Sequence, residues 1–162
     1  MEARRSGLET VGPVALLGSS DLEQYAILLV RVSLGLLFAI SGAKKLFVAG
    51  SRQTMYETLV EAEVPFPRLM TYFVSSVEFV GGSLLTVGFL SSPASVALAV
   101  DMLVAILTTK LSAMPKGLSA LSWLDDFLYL PEVLYVLLFI VLICFGPGKF
   151  SVDYWLAGKL LR

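Results

Sequence analysis

Four long apolar blocks, Ala26–Phe47, Met70–Leu90, Pro93–Leu111 and Pro131–Phe145, decide what this chain of 162 residues can fold into. A bilayer's hydrocarbon core is about 30 Å thick and a helix rises about 1.5 Å per residue, so a span needs about 20 mostly apolar residues. Three blocks reach that length, and the fourth can borrow Leu128, Tyr129 and Leu130. Hydrophobic residues make up 57% of the chain and charged residues only 15%, too little polar surface to keep a helical core in water. The expected fold is an all-α membrane protein, a bundle of four transmembrane helices over about 26–47, 70–90, 93–111 and 130–146. An amphipathic first loop and a short C-terminal interfacial helix complete it.

Residues 1–21 mix charge, Gly and Ser and read as an N-terminal tail; residues 22–162 form one transmembrane domain without internal repeats. On the first span Gly35 and Gly42 share a stripe with Arg31, being four and seven residues apart from it or from each other. Such small residues let helices approach closely in lipid, and Gly81 and Gly82 offer the same on the second span. Lys44 and Lys45 mark an interface where long side chains reach headgroups. Between residues 48 and 69, Met55, Leu59 and Val64 fall on one helical side and Glu57, Glu61 and Glu63 on others, the pattern of a helix lying along the membrane surface. Pro65-Phe66-Pro67 breaks it, because a residue before proline disfavours helix. Ser91, Ser92 and Pro93 turn the chain into span three, and Pro115-Lys116-Gly117 ends that span. Trp123 and Tyr129 suit an interfacial belt. Gly146-Pro147-Gly148 stops span four, and Ser151 can cap a final helix carrying Tyr154 and Trp155.

Several function classes are excluded at this level. With a net charge of −1 and no basic run, nucleic acid is not an expected partner. There is no histidine and one cysteine, Cys144, so no internal disulfide or multi-cysteine metal site can form and the usual haem ligand is missing. No cofactor held covalently or by metal ligands is expected; a metal centre in any redox reaction would sit on a partner. Cys144 reads as a packing residue at a span end. Lys and Arg are nearly balanced between the two sides, so the N-terminal Arg4 and Arg5 set the expectation of cytoplasmic termini on a multi-pass cell-membrane protein.

Three charged residues fall well inside the apolar blocks, away from their ends: Arg31, Glu78 and Asp101. Each would cost about 2.5–3.5 kcal/mol at the bilayer centre and so asks for a partner or a role. Counted from the side holding the termini, Arg31 lies roughly 8 Å deep, Asp101 about 10–12 Å and Glu78 about 18 Å. If the three helices face one another, Arg31 meets both carboxylates. The cluster then reads either as an ion-pair network that fixes packing or as a polar pocket for a headgroup, a quinone ring or a proton. Gly81 and Gly82 beside Glu78 leave room for the second reading. A further group near the opposite surface, Lys44, Lys45, Lys110 and Glu132, reads as solvated interface.

Four motifs taken in order, LLVRVSLGLLFAISGAKKLF, PFP, EFVGGSLLTVGF and GPGKFSVD, resemble the DoxX family of small four-helix membrane proteins over about residues 25–154. The resemblance implies a four-helix bundle that serves as a subunit or associate of membrane oxidoreductases, among them thiosulfate:quinone oxidoreductase and terminal quinol oxidase complexes. The family's intramembrane Arg, its Glu before paired glycines and its final Gly-x-Gly…Asp would fall on Arg31, Glu78, Gly146, Gly148 and Asp153. The acidic pair Asp125-Asp126 and the long tail lie outside that pattern. No universal catalytic motif comes with the family, and no catalytic residue is assigned. The expected role is a non-catalytic subunit of a quinone-linked membrane complex, docking through its helices and holding lipid or quinone. The alternatives are a quinone-reactive subunit that moves protons on Glu78 or Asp101, and an assembly factor or carrier.

Overall fold

The structure, a computed structural model, describes residues 20–115 and 117–160. The expected N-terminal tail with Arg4 and Arg5 lies outside the described residues, as do Lys116 and Arg162. Within them the regular structure is helical: α1 (Ser20–Phe47), α2 (Ala49–Glu61), α3 (Pro67–Val87) and α4 (Ser91–Ala105) come first. A π-helical turn, Ile106–Lys110, carries α4 into the three-residue α5 (Leu111–Ala113), and α6 (Ala120–Leu128), α7 (Pro131–Phe145) and α8 (Val152–Leu160) follow.

Three stretches are long and apolar enough to cross a membrane: Leu22–Phe47, Pro67–Val87 and Ser91–Ala113. The expected fourth span differs. α7 has 15 residues, about 22 Å of helix, and the residues it was to borrow do not extend it. Leu128 ends α6, and Leu130 is extended (φ −66°, ψ 124°) ahead of Pro131, as the steric clash before proline requires. α6 and α7 meet at 63°, so a fourth crossing exists only as this bent pair.

α1 and α3 form the tightest helix pair, and glycine explains why. A Cβ on Gly42 would run into the backbone of Phe79 and Ser75, and one on Gly82 would meet the Gly35 carbonyl at 2.7 Å and the Ala39 amide. Gly35 in turn lies against Thr86 and Gly82. Backbones at this separation gain dispersion contacts that bulkier side chains would forbid, the main attraction between helices once lipid has replaced water. Gly81 faces elsewhere, against the Leu98 side chain of α4.

Around that pair Ile27, Leu34, Phe38, Leu85, Leu98, Met102, Phe139 and Leu142 close a core. The Phe38 ring stands 5.3 Å from Phe139 and 5.5 Å from Tyr135, which ties α7 to α1. The outer faces carry Leu29, Ile40, Val80, Val100, Leu107 and Leu137 exposed. An apolar exterior of this extent suits lipid and not water. Cys144, expected to pack, is exposed on that exterior.

Candidate functional site

The helix register decides which charged residues can meet. Gly35 faces Thr86, Ala39 faces Gly82 and Gly42 faces Phe79, so each step forward on α1 is a step back along α3. Arg31 therefore falls at the end of α3, and Lys45 falls beside Glu78.

The expected meeting of Arg31 with Glu78 and Asp101 does not occur. Arg31, 1% exposed, donates through Nη1 to the carbonyls of Leu85 (2.9 Å) and Thr86 (3.1 Å) and through Nη2 to Phe150 (2.6 Å). Glu78 lies about 10 Å back along α3 from Leu85, beyond an arginine that is already committed to carbonyls. The last carbonyls of a helix have no partner within it, and a guanidinium with five donors can serve several at once. Arg31 is thus a clamp that holds the segment after α7 against the end of α3.

Asp153 completes the clamp from the other side. Its two carboxylate oxygens accept from the amides of Leu90 and Ser91, each at 2.8 Å, and its own amide donates to the Gly88 carbonyl at 2.9 Å. These are the free amides at the start of α4, where an anion also opposes the positive end of the helix dipole. Leu90 holds a left-handed conformation (φ 50°), rare for a residue with a branched side chain, and the Asp153 carboxylate fixes it there. Gly88, also left-handed, has no room for a Cβ against Arg31 and Ser151. Gly146 and Gly148 have φ of 77° and 76°, which only glycine adopts freely, and they bend the chain so that Phe150 reaches Arg31. Ser151 caps α8 by accepting from the Tyr154 amide at 3.1 Å.

The second polar group lies at the opposite end of α1, and two of its lysines are tied into ion pairs instead of standing free at the interface. Lys45 Nζ donates to both oxygens of Glu78, at 2.6 and 2.7 Å, with the Glu78 side chain 4% exposed. Ser41 adds a longer hydrogen bond of 3.4 Å to the same carboxylate. Lys110 pairs with Glu132 at 2.9 Å. Asp101 stands within electrostatic reach of Glu78 and Lys45, and its Oδ2, shielded from solvent, has no hydrogen-bond partner. Lys44 is exposed and belongs to the surface.

Both ion pairs and Asp101 line one cavity of about 460 Å³, a size that small-molecule sites commonly have (about 300–1,000 Å³). Its walls come from α1, α2, α3, α4 with its π turn, and α7; Leu37, Phe38, Met70, Val74 and Met102 supply the apolar part. Met55, Leu59 and Val64, the apolar side of the first loop, turn toward this cavity, so α2 and its exit cover it. The π turn places Thr108, Thr109 and Lys110 on its wall. Single π turns inside helices frequently occur at functional sites. Gly81 and Gly82 contribute no free space beside Glu78, because both are filled by neighbouring helices. Among the described residues, no three His, Cys, Asp or Glu side chains converge as a metal site would need.

The Lys45 partner of Glu78 escaped sequence reading because a double lysine at a helix end reads as a headgroup anchor. The signal that could have found it is the glycine register, which sets Lys45 against Glu78.

Comparison with curated proteins and with solved structures gave no match. The family model for DoxX matches residues 26–111, from the first apolar block through the π turn, and so includes Arg31, Lys45, Glu78 and Asp101. With that match over more than half its length and several membrane-length apolar helices, this multi-pass membrane protein belongs to the DoxX family.

Proposed function

We propose that the protein is a non-catalytic subunit of a quinone-linked membrane oxidoreductase, and that its cavity holds a lipid-like molecule within the assembly. The observation that carries this is the cavity itself: apolar walls ending in two ion pairs and an unpaired carboxylate, covered by a surface helix. That is the form of a site for an amphipathic molecule, with a polar head at the charges and an apolar tail along Leu37, Met70 and Val74. Family membership supplies the link to redox complexes. The exposed apolar faces of α1, α3 and α7 are available to lipid and to a partner's helices. In this reading the chain makes four crossings, the bent α6–α7 pair being the fourth, and its termini lie in the cytoplasm.

Extraction from the native membrane in a mild detergent, followed by mass spectrometry of all that co-purifies, tests the proposal. A one-to-one protein partner bearing haem, flavin or iron–sulfur centres is the expected result. Association in small amounts with many unrelated membrane proteins would instead make this chain an assembly factor. A partner complex that keeps its stability and activity when this chain is deleted would refute the subunit role.

A further inference from the structure

Beside the cavity, between α1 and α2, runs an open groove of about 750 Å³. The two share a wall that includes Leu37, Lys45 and Met55, but Ile40, Lys44, Ser51 and Thr54 line the groove and not the cavity. On α1 the residues Leu37, Ile40 and Lys44 lie three and seven positions apart and so fall on one stripe. Along that stripe apolar surface gives way to a cation within about 10 Å of helix. Leu37 and Ile40 are 42% and 58% exposed within the first span, and Lys44 stands near its end, at headgroup level.

The groove differs from the cavity in the sign of its charge. Three carboxylates line the cavity, whereas the groove has two lysines and, among the described residues, no carboxylate. Lys45 is matched by Glu78, but the exposed Lys44 ammonium has no ion-pair partner among the described residues. The acids of α2 nearest in sequence, Glu57 and Glu61, are not part of the lining, and Glu57 accepts from Gln53 at 2.8 Å. The Ser51 hydroxyl is free to donate, while Thr54 spends its proton on the Gly50 carbonyl and keeps an oxygen that accepts. An uncompensated ammonium with a hydroxyl donor beside it suits a phosphate. A zwitterionic head would bring a second charge, a cation, for which the groove has no acid. A segment of polypeptide is a poorer fit, because the apolar end of the stripe lies at membrane depth, where backbone groups must be satisfied internally. A phospholipid has head and tail in the order that the stripe presents.

We propose that the groove between α1 and α2 is a site for an anionic phospholipid, its phosphate held by Lys44 and Ser51 and an acyl chain lying along Ile40 and Leu37. The inference stands apart from the reading of the cavity, since the residues that recognise the head line the groove alone. The bound lipid also ties α2, in which only Leu59 is buried, to α1. One lysine acting on an anionic head corresponds to about a fivefold gain in affinity.

The test uses the full chain, stripped of lipid in a maltoside detergent and titrated with dioleoyl phosphatidylglycerol, phosphatidylethanolamine or phosphatidylcholine. Native mass spectrometry counts the bound lipid, and amide hydrogen exchange locates it. Phosphatidylglycerol is expected to bind about fivefold more tightly than either zwitterionic lipid and to slow exchange in residues 49–61. Lys44→Met should bring it down to the level of phosphatidylcholine, and Lys44→Arg should keep the preference. Lys149→Met serves as the control, because Lys149 is exposed and its amide bonds to Gln24 at the other end of α1. It should leave the preference intact. An unchanged unfolding midpoint without lipid is expected for Lys44→Met, since the side chain holds no partner within the protein. Equal binding of the three lipids, or a preference that survives Lys44→Met, would overturn the proposal. So would loss of the preference in Lys149→Met to the same degree, or protection confined to residues outside α1 and α2. None of these results bears on whether the cavity is occupied.

Discussion

Replacing Lys45 by methionine isolates one interaction on which the cavity depends. The Lys45 ammonium touches both oxygens of a Glu78 carboxylate whose side chain is 4% exposed, and Ser41, at 3.4 Å, is the only other hydrogen-bond donor to it among the described residues. Removing one member of a buried pair costs about 3–5 kcal/mol, mostly because the other charge is stranded. Lys45 keeps 23% of its side chain exposed, so water can partly reach the gap and the lower end, about 3 kcal/mol, is expected. That corresponds to roughly a hundredfold in the unfolding equilibrium. Glu78→Gln leaves a neutral acceptor for a lysine that can still reach solvent and should cost about 1–2 kcal/mol. The double change Lys45→Met with Glu78→Leu removes both charges and should be close to neutral, as replacing a buried pair by apolar side chains often is. Far-UV circular dichroism during titration of mild-detergent micelles with dodecyl sulfate gives the unfolding equilibrium for each variant. If the single substitutions each cost under about 0.5 kcal/mol and simply add, the two side chains are not a buried pair and the reasoning is wrong.

Other substitutions probe the remaining contacts. Gly42→Val should lose several kcal/mol of stability in the same titration, because its side chain would enter the backbone of Phe79 and Ser75, whereas Gly50→Ala meets open space and should be neutral or gain up to about 1 kcal/mol. Asp153→Ala removes two hydrogen bonds from the start of α4 and should cost about 1–2 kcal/mol, with faster amide exchange at Leu90 and Ser91 as the specific sign. Arg31→Lys keeps the charge but cannot span the Leu85, Thr86 and Phe150 carbonyls together; limited proteolysis between Gly146 and Ser151 should speed up about as much as in Arg31→Met.

The apolar blocks made the membrane class and the positions of α1, α3 and α4 legible, because segments of that length have few alternatives in water or lipid. The interruption at Leu130 was also written in the chain, since Pro131 forbids helix just before it. Adding Leu128 to Leu130 to the fourth block counted length and overlooked direction. The π turn left no mark, because Ile106–Lys110 differs from a regular helix by hydrogen-bond register alone. Glu78 and Asp101 share the cavity, but Arg31 stands apart from them for a related reason. Charge within apolar sequence makes Arg31, Glu78 and Asp101 look alike, but position along two antiparallel helices decides which groups meet. Carbonyl partners for Arg31 could not be read at all, since every residue has a carbonyl and only the fold shows which are unpaired.

The central claim, that the space bounded by α2, α3, the π turn and α7 holds a lipid-like molecule, is tested most directly by photo-crosslinking in bilayers. A decyl-tailed hydroquinone carrying a diazirine on the tail would be irradiated with the protein and the labelled residues mapped by peptide sequencing. The account predicts labels concentrated on Met55, Met70, Val74 and Met102, competed away by unlabelled probe. Labels spread over outward-facing residues such as Leu29, Val80 and Leu107, and insensitive to competitor, would contradict it.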